Sequence, residues 1–246
     1  MLNPSIFKSY DIRGVYPTDI HAEAAYRIAR ALVQFPAQDI GRQPADMKII
    51  IGHDMRTSSP ELFDAAIRGL NSSGVKVFSA GLIAIDQMYF MLGAHDYDGG
   101  IMVTASHNPK EYNGMKMYKA GVHMISAEGI QEIRVLTEGD AEPVVESALV
   151  AEKVNYDKEY ADKILSLADP KKIKKMKVVL DAGNGMAGRI FPLVLECVSQ
   201  IKAERMYFEP DGTFPNHDAN PEKLENTRDI QKKVVEMGAD FGAAFD

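Results

Sequence analysis

The sequence predicts an α/β protein made of two related three-layer α/β/α domains, each with a mixed and mostly parallel sheet. Short apolar runs alternate with segments whose apolar residues recur every three or four positions, as buried strands and amphipathic helices do. This alternation restarts after residue 150, and the two halves end in segments of similar layout. A chain of 246 residues has room for two domains of ordinary size.

The first half contains three predicted strands with amphipathic helices between and before them. The strands lie at 48–51, 75–78 and 101–103, and the helices at 25–33, 62–70 and 87–92. The Ser-Pro-Glu sequence at 59–61 is typical of a helix cap and first turn. Strands that alternate with helices in this way indicate a largely parallel sheet covered by helices on both faces.

The second half repeats the alternation after a polar, turn-rich segment at 138–143. Its predicted helices lie at 156–167, from about 188, and through 230–237, and its strands at 177–180 and 202–208. Residues 98–106 resemble residues 238–246 in layout, and residues 51–54 resemble residues 180–183. We therefore predict related domains at 1–150 and 151–246; the alternative is chance similarity between short α/β segments.

Composition excludes several classes of function. The formal net charge of −7 argues against non-specific nucleic-acid binding, although a local cluster of cations can still bind a small anion. No apolar run approaches the roughly 20 residues of a membrane span, and the amino terminus lacks the pattern of a signal peptide.

The single cysteine, Cys197, fits a reducing cytoplasm. It lies in an apolar run at 190–198, which predicts a buried helix thiol rather than a nucleophile.

The segment at 99–109 is an apolar strand that runs into a polar loop with Ser106 at its tip. Open α/β folds bind ligands at the carboxyl ends of their strands. We expect the loop to continue through 111–116 and to bring Lys116 back towards the serine. A hydroxyl, an imidazole and an ammonium group on one loop suit phosphoryl transfer. The alternative is a surface loop whose Asn, Pro and Gly residues only form turns.

Other polar segments have two interpretations each. Residues 52–59 could touch a phosphate, but a helix start held by Asp and Ser caps explains them better. The glycine-rich segment at 181–185 could cradle a phosphate at a helix N-terminus, or form a tight strand-to-helix turn. His53 and His217 are predicted to be hydrogen-bonded structural histidines. The basic run at 171–177 is predicted to be a solvated lead-in to a strand.

Four motifs extend over nearly the whole chain. They are Phe-Lys-Ser-Tyr-Asp-Ile-Arg-Gly at 7–14, Thr-Ala-Ser-His-Asn-Pro at 104–109 with Tyr-Asn-Gly-Met-Lys at 112–116, Asp-Ala-Gly-Asn-Gly at 181–185, and Phe-Pro-Asn-His at 214–217. Together they resemble the α-D-phosphohexomutases, and most closely the bacterial phosphomannomutase and phosphoglucomutase type. The resemblance implies the amino-terminal half of an enzyme that moves a phosphoryl group between C1 and C6 of mannose or glucose phosphate. The alternatives are a phosphoglucosamine-type mutase and a non-catalytic phosphate-binding fragment.

The resemblance also implies a role for the serine loop. Ser106 would carry a phosphoryl group at rest, donate it to a hexose phosphate, and take back the other phosphate of the hexose bisphosphate that forms. Lys116 and Arg13 would stabilise the transferring charge, since Arg matches phosphate with a planar fork and Lys supplies a point charge.

Three further residues of the motifs receive positioning roles from the resemblance. His107 would position the reacting groups or carry a proton. Tyr10 would orient the site through its hydroxyl, with a core or hinge tyrosine as the alternative. Asn108 would shape the loop.

The resemblance implies a magnesium site and four domains, of which this chain matches the first two. Asp246 and the phosphate on Ser106 would be two of the Mg²⁺ ligands, and Mg²⁺ prefers such hard oxygen donors. Since one carboxylate holds the ion poorly, we expect weak or absent binding by this chain. The third and fourth domains would be missing partners. We expect a truncation at Asp246 within a larger protein; the alternative is a natural short chain.

Overall fold

The computed structural model describes residues 2–40, 42–145 and 148–246. The chain divides into two compact units. The first consists of Met1–Ala105 and Glu111–Val154, and the second of Ser106–Lys110 and Asn155–Asp246. The short serine-containing segment is therefore grouped with the second unit, although the strands on either side of it belong to the first.

A mixed sheet forms the centre of the first unit. Its strands are β1 (Ile12–Val15), β2 (Lys48–His53), β3 (Lys76–Leu82), β4 (Gly99–Val103), β5 (Tyr112–Lys119), β6 (His123–Met124) and β7 (Glu152–Lys153). The order is β1-β5-β4-β2-β3-β7, with β6 paired to β5. Strands β4, β2, β3 and β7 run parallel, whereas β1, β5 and β4 pair antiparallel. The sheet is therefore parallel in its larger part, with an antiparallel edge.

Helices cover both faces of this sheet. They are α1 (Ala22–Ile40), α2 (Ser59–Ser72), α3 (Ile85–Ala94) and α4 (Ala127–Gly139). Ile101 of β4 is buried in one core cluster with residues of α1, α2 and α4. The preceding residue, Gly100, faces α3: a Cβ there would lie 3.0 Å from Met88 and 3.2 Å from Leu92. Because successive strand residues point to opposite faces, α3 covers the other side. The three-layer prediction is confirmed.

The second unit has a smaller, wholly parallel sheet. Its elements are α5 (Asp157–Leu167), β8 (Met176–Asp181), α6 (Ala187–Leu195), β9 (Ile201–Met206), α7 (Arg228–Met237) and β10 (Phe241–Ala244). The strand order is β10-β8-β9, and Val179, Met206 and Ile230 form a buried cluster against it. At Gly188 a Cβ would lie 1.9 Å from the carbonyl oxygen of Phe208, so only glycine permits α6 to approach so closely.

The predicted strands and helices of both halves are confirmed, although α1 continues seven residues beyond its predicted end at 33. The prediction of a loop through 111–116 is wrong, because Tyr112–Lys119 is strand β5. The antiparallel β1 and the helix α4 were not among the predicted elements. The prediction for Cys197 is also wrong: α6 ends at Leu195, and the thiol two residues later is exposed. Among the described residues, no helix is both long and apolar enough to cross a membrane.

Candidate active site

Ser106 lies just beyond the carboxyl end of β4, two residues after Thr104. Its backbone is in the left-handed region, with φ of 52°. Few residues other than glycine adopt this conformation, and strained backbone of this kind often occurs at functional sites. The surrounding structure must therefore hold the backbone of Ser106 in this conformation.

Within the second unit, Ser106 faces a carboxylate. Its Oγ lies 3.3 Å from both carboxylate oxygens of Asp246 and donates to them. The imidazole of His107 is close to the same group, with Nδ1 3.4 Å from Oδ2 of Asp246. The side chains of His107 and Asp246 are each about half exposed, so a ligand can reach them. Asn108 follows in the same loop. A hydroxyl, an imidazole and a carboxylate thus meet at one accessible point.

Two of the groups at this point are oxygen donors of the kind that Mg²⁺ takes. They are the Asp246 carboxylate and the Ser106 hydroxyl, or a phosphate carried on that hydroxyl. Among the residues that the structure describes, no three His, Cys, Asp or Glu side chains gather to hold a metal ion. The donor chemistry therefore suits the ion, but these residues supply only part of a coordination shell.

A cleft of about 570 Å³ opens on the first unit. Its lining residues are Lys8, Ser9, Tyr10, Asp11, Lys116 and Met124. Two ammonium groups against one carboxylate give this cleft a positive balance, which suits an anionic ligand. Tyr10 is 66% exposed, so the alternative interpretation of it as a core tyrosine is wrong. The structure thus brings Tyr10 and Lys116 together, with Lys8 beside them.

Arg13 lies on β1 and contacts Asp11, which lines the cleft. Its guanidinium donates to the Asp11 carboxylate over 2.6 Å, and both side chains are largely buried. Lys116 lies on β5, opposite Met102 of β4. Strand β5 lies between β1 and β4, so the sheet itself fixes the positions of both cations.

The glycine-rich segment at 181–185 is a turn whose polar groups are occupied within the second unit. Gly183 donates its N–H to the Asp181 carboxylate over 2.9 Å, and the Asn184 side chain donates to the carbonyl of Glu209 over 2.8 Å. Asn184 accepts from the amide of Asn216 over 2.8 Å. These contacts favour the turn over the phosphate cradle. His217 is hydrogen-bonded, as predicted, with Nε2 3.2 Å from Asp181.

The segment at 52–59 is more deeply buried than a helix start requires. Asp54 is 5% exposed and Arg56 only 1% exposed. The helix N-cap residue, Ser58, makes no side-chain capping bond, so the expected cap is absent there. Ser59 instead donates to Asp54 over 2.6 Å. His53 is hydrogen-bonded through Nδ1 to the carbonyl of Asp54, as predicted.

The sequence analysis gave no site role to four residues that line the first-unit cleft: Lys8, Ser9, Asp11 and Met124. Lys8 stands two residues before Tyr10 in a motif already singled out, and that position was the available signal. No signal in the sequence pointed to Met124, because its place in the cleft depends on the pairing of β6 with β5.

Two family models match this chain. "Phosphoglucomutase/phosphomannomutase, alpha/beta/alpha domain I" matches residues 4–143, and the corresponding domain II matches residues 158–246. A phosphomannomutase of Vibrio cholerae is 38% identical over 245 residues, which are 98% of this chain and 52% of that protein. A phosphomannomutase/phosphoglucomutase of Pseudomonas putida is also 38% identical, over all of this chain and 50% of that protein. The chain spans about half the length of the curated relatives it matches.

Solved structures have the same fold as this chain. A phosphoglucomutase/phosphomannomutase family protein of Burkholderia thailandensis superposes with a TM-score of 0.84 at 30% identity, over 98% of this chain and 52% of its own. The phosphoglucomutase parafusin from Paramecium, in an open form, has a TM-score of 0.75 over 97% of this chain and 50% of its own. Its identity of 17% supports the fold alone.

Proposed function

The chain belongs to the phosphoglucomutase/phosphomannomutase family, and from that premise we propose that it is the phosphoryl-carrying half of a hexose-phosphate mutase. The observation that carries this proposal is the accessible hydroxyl of Ser106, held in a left-handed backbone and facing Asp246 with His107 alongside. The substrates would be a hexose phosphate and its bisphosphate. The single cysteine favours a reducing compartment such as the cytoplasm.

In the proposed reaction, the phosphorus–oxygen bond to Ser106 breaks as one forms to a sugar hydroxyl. The proton of that hydroxyl leaves towards a base, for which His107 is our candidate, and the same group returns a proton to the Ser106 oxygen as it leaves. The bisphosphorylated sugar then turns over in the site and returns its other phosphate to Ser106. Positioning and charge neutralisation supply most of the catalysis in such transfers.

Lys116, Arg13 and Tyr10 are our candidates for binding an anionic sugar phosphate at the first-unit cleft. Lys116 and Lys8 supply charge in the cleft, and Tyr10 offers an exposed hydroxyl. Arg13 is held by Asp11, so we assign it to orienting Asp11 as well as to charge stabilisation. Asn108 would shape the loop that displays Ser106.

Phosphorylation of Ser106 would add roughly −1.5 to −2 charges beside the Asp246 carboxylate. Asp246 and the phosphate would together hold Mg²⁺, which would neutralise this repulsion. Since the donor set described above is incomplete, we propose that the chain binds Mg²⁺ weakly and does not turn over substrate by itself. Equilibrium titration with Mg²⁺ measures the first point; micromolar affinity would contradict it.

The central test is phosphoryl uptake from a radiolabelled hexose bisphosphate, followed by intact mass. We expect the chain to gain about 80 Da, the mass of one phosphoryl group, together with the label. Ser106→Ala should gain neither, while Ser199→Ala, which removes an exposed hydroxyl elsewhere in the second unit, should behave as the unmodified chain. Uptake that survives Ser106→Ala would overturn the proposal. Sugar binding without any uptake would instead favour a non-catalytic phosphate-binding chain.

A further inference from the structure

Both ends of the serine loop are attached to one buried polar cluster in the first unit. The loop leaves β4 through Thr104 and joins β5 at Tyr112. The cluster is formed by the side chains of Asp54, Arg56, Ser58, Ser59, Thr104 and Asn113, and we call it the clamp. Apart from the backbone groups that join it, its members are side chains that lie almost wholly out of water.

Asp54 holds the first end of the loop. Its Oδ2 accepts a hydrogen bond of 2.7 Å from the hydroxyl of Thr104. The guanidinium of Arg56 lies on the same oxygen, with Nε at 3.2 Å. The other oxygen, Oδ1, accepts from the Ser59 hydroxyl over 2.6 Å and from the Arg56 backbone N–H over 3.1 Å. A carboxylate with this many partners has one orientation, and Thr104 is fixed by it.

Arg56 and Asn113 hold the second end. The Arg56 guanidinium donates to the carbonyl of Tyr112 over 3.0 Å. The side-chain amide of Asn113 donates to the hydroxyls of Ser58 and Ser59 over 2.8 and 3.0 Å. Arg56 therefore joins Asp54, at one end of the loop, to the first residue of β5 at the other.

The two ends are also tied directly to each other. The backbone N–H of Thr104 donates to the carbonyl of Gly114 over 3.0 Å, and Gly114 donates to the Asn113 side chain over 2.8 Å. A Cβ at Gly114 would lie 2.2 Å from the carbonyl oxygen of Ile12. The base of the loop is thus closed by strands that approach more tightly than any residue with a side chain would allow.

We propose that this clamp positions Ser106 for phosphoryl transfer, with Asp54 and Thr104 as positioning residues. The inference rests on the proposed function of Ser106. A buried ion pair gains little stability over apolar packing, but a buried network of several hydrogen bonds favours one arrangement of its members. The left-handed backbone of Ser106 needs such enforcement, because a strained residue persists only where its surroundings over-determine it.

The test compares three substitutions of similar size. Thr104→Val keeps the shape of the side chain and removes the hydroxyl that binds Asp54. Thr104→Ser restores the hydroxyl, and Thr57→Val makes the same change at an exposed position of the Asp54 to Ser59 segment. For each variant we would measure the rate of label uptake from hexose bisphosphate, its half-saturating concentration, and hydrogen exchange of the amides at 105–111.

We expect Thr104→Val to slow uptake at saturation by about tenfold to a hundredfold, the effect of a misplaced reacting group. The half-saturating concentration should change by less than about threefold, because ground-state binding is retained. Loop amides should exchange about tenfold faster, since the tie that keeps the loop closed is lost. Thr104→Ser should recover most of the rate, and Thr57→Val should match the unmodified chain.

Equal uptake and equal loop exchange in Thr104→Val and Thr57→Val would overturn the clamp. If the unmodified chain takes up no label, the proposed function fails, but the exchange measurement still decides whether Thr104 orders the loop. Asp54→Asn provides a second variant, in which neutralising the carboxylate should slow uptake at least as much as Thr104→Val does. Uptake at the unmodified rate in a folded Asp54→Asn chain would also count against the proposal.

Discussion

The two units share a parallel three-strand arrangement, β3-β2-β4 in the first and β9-β8-β10 in the second. The similarity extends to individual hydrogen bonds. Asp98, before β4, accepts from the backbone N–H of Lys48 over 2.8 Å, and Asp240, before β10, accepts from that of Lys177 over the same distance. Each aspartate also donates its own N–H to the carbonyl of that lysine. The internal repeat seen in the sequence therefore corresponds to a repeated strand start.

The two units differ where their central strands end. Each buries one carboxylate there: Asp54 follows β2, and Asp181 ends β8 and is 1% exposed. The counterion of Asp54 is Arg56, which is charged at every accessible pH. The partner of Asp181 is His217, whose side chain is 13% exposed and which is charged only when protonated.

The hydrogen-bond partners of His217 sharpen this difference. Its Nε2 faces the Asp181 carboxylate, and its Nδ1 lies 2.9 Å from the carbonyl oxygen of Asp218. Each ring nitrogen of His217 therefore faces an oxygen atom. The buried carboxylate at the same fold position is therefore paired with a guanidinium in the first unit and with an imidazole in the second.

The largest effect should come from breaking the permanent pair. Arg56→Met leaves Asp54 buried without its cation, which typically costs about 3–5 kcal/mol. Lys76→Met, at an exposed position of β3, should cost within about 0.5 kcal/mol. Hydrogen exchange of β2 and β4 amides reports on the first unit alone. A cost for Arg56→Met as small as that of Lys76→Met would show that the buried pair does not hold this unit together.

A smaller effect is expected in the second unit. His217→Ala removes one partner of Asp181, but the N–H of Gly183 still donates to the carboxylate, and water can reach the vacated site. We therefore expect a loss of about 1–3 kcal/mol, measured by exchange of β8 amides. His123→Ala removes an exposed imidazole and serves as the matched control. If His217→Ala lowers the free energy of unfolding as much as Arg56→Met does, or more, the Asp181 pair and not the Asp54 pair is the stronger of the two.

Periodicity predicted the elements that bury one continuous face. Strand β2 and helix α2 followed from their apolar spacing, because burial alone determines that spacing. Strand β5 was missed because Asn113 and Gly114 are typical of turns. In the structure they are strand residues because of contacts with distant parts of the chain. Gly114 allows close contact with β1, and the Asn113 side chain hydrogen-bonds to buried hydroxyls. No local pattern carries that information.

The candidate site was likewise predicted only in part from the sequence. The motif around Ser106 is the basis of the proposed phosphoryl transfer, and Asp246 was assigned to the site from the resemblance alone. The burial of Arg56 was not predicted, since charged residues are almost never fully buried unless paired. Its partners include Tyr112, 56 residues away, so the pairing exists only once the sheet has formed. The apolar run around Cys197 misled for a related reason, because hydrophobicity does not indicate where a helix ends.

The smallest expected effect concerns Tyr207, whose ring packs edge-on against His217 with centroids 5.4 Å apart. Burial, together with a 2.8 Å hydrogen bond to Asp229, raises the pKa of Tyr207 from its ordinary value of 10 to about 12. The folded protein thus holds this proton more tightly than the unfolded chain does. The resulting stabilisation is present below pH 10 and is lost as the pH rises towards 12.

Tyr207→Phe should therefore cost about 0.5–1.5 kcal/mol at neutral pH, the value of one hydrogen bond, and should flatten the stability profile between pH 10 and 12. Absorbance titration of tyrosinate in the two chains gives the pKa by difference. Asp229→Asn should lower that pKa only in part, because burial is the larger cause of the shift. If Asp229→Asn instead returns the pKa to 10, the hydrogen bond to Asp229 rather than burial raises the pKa of Tyr207, and its packing against His217 contributes little to the shift.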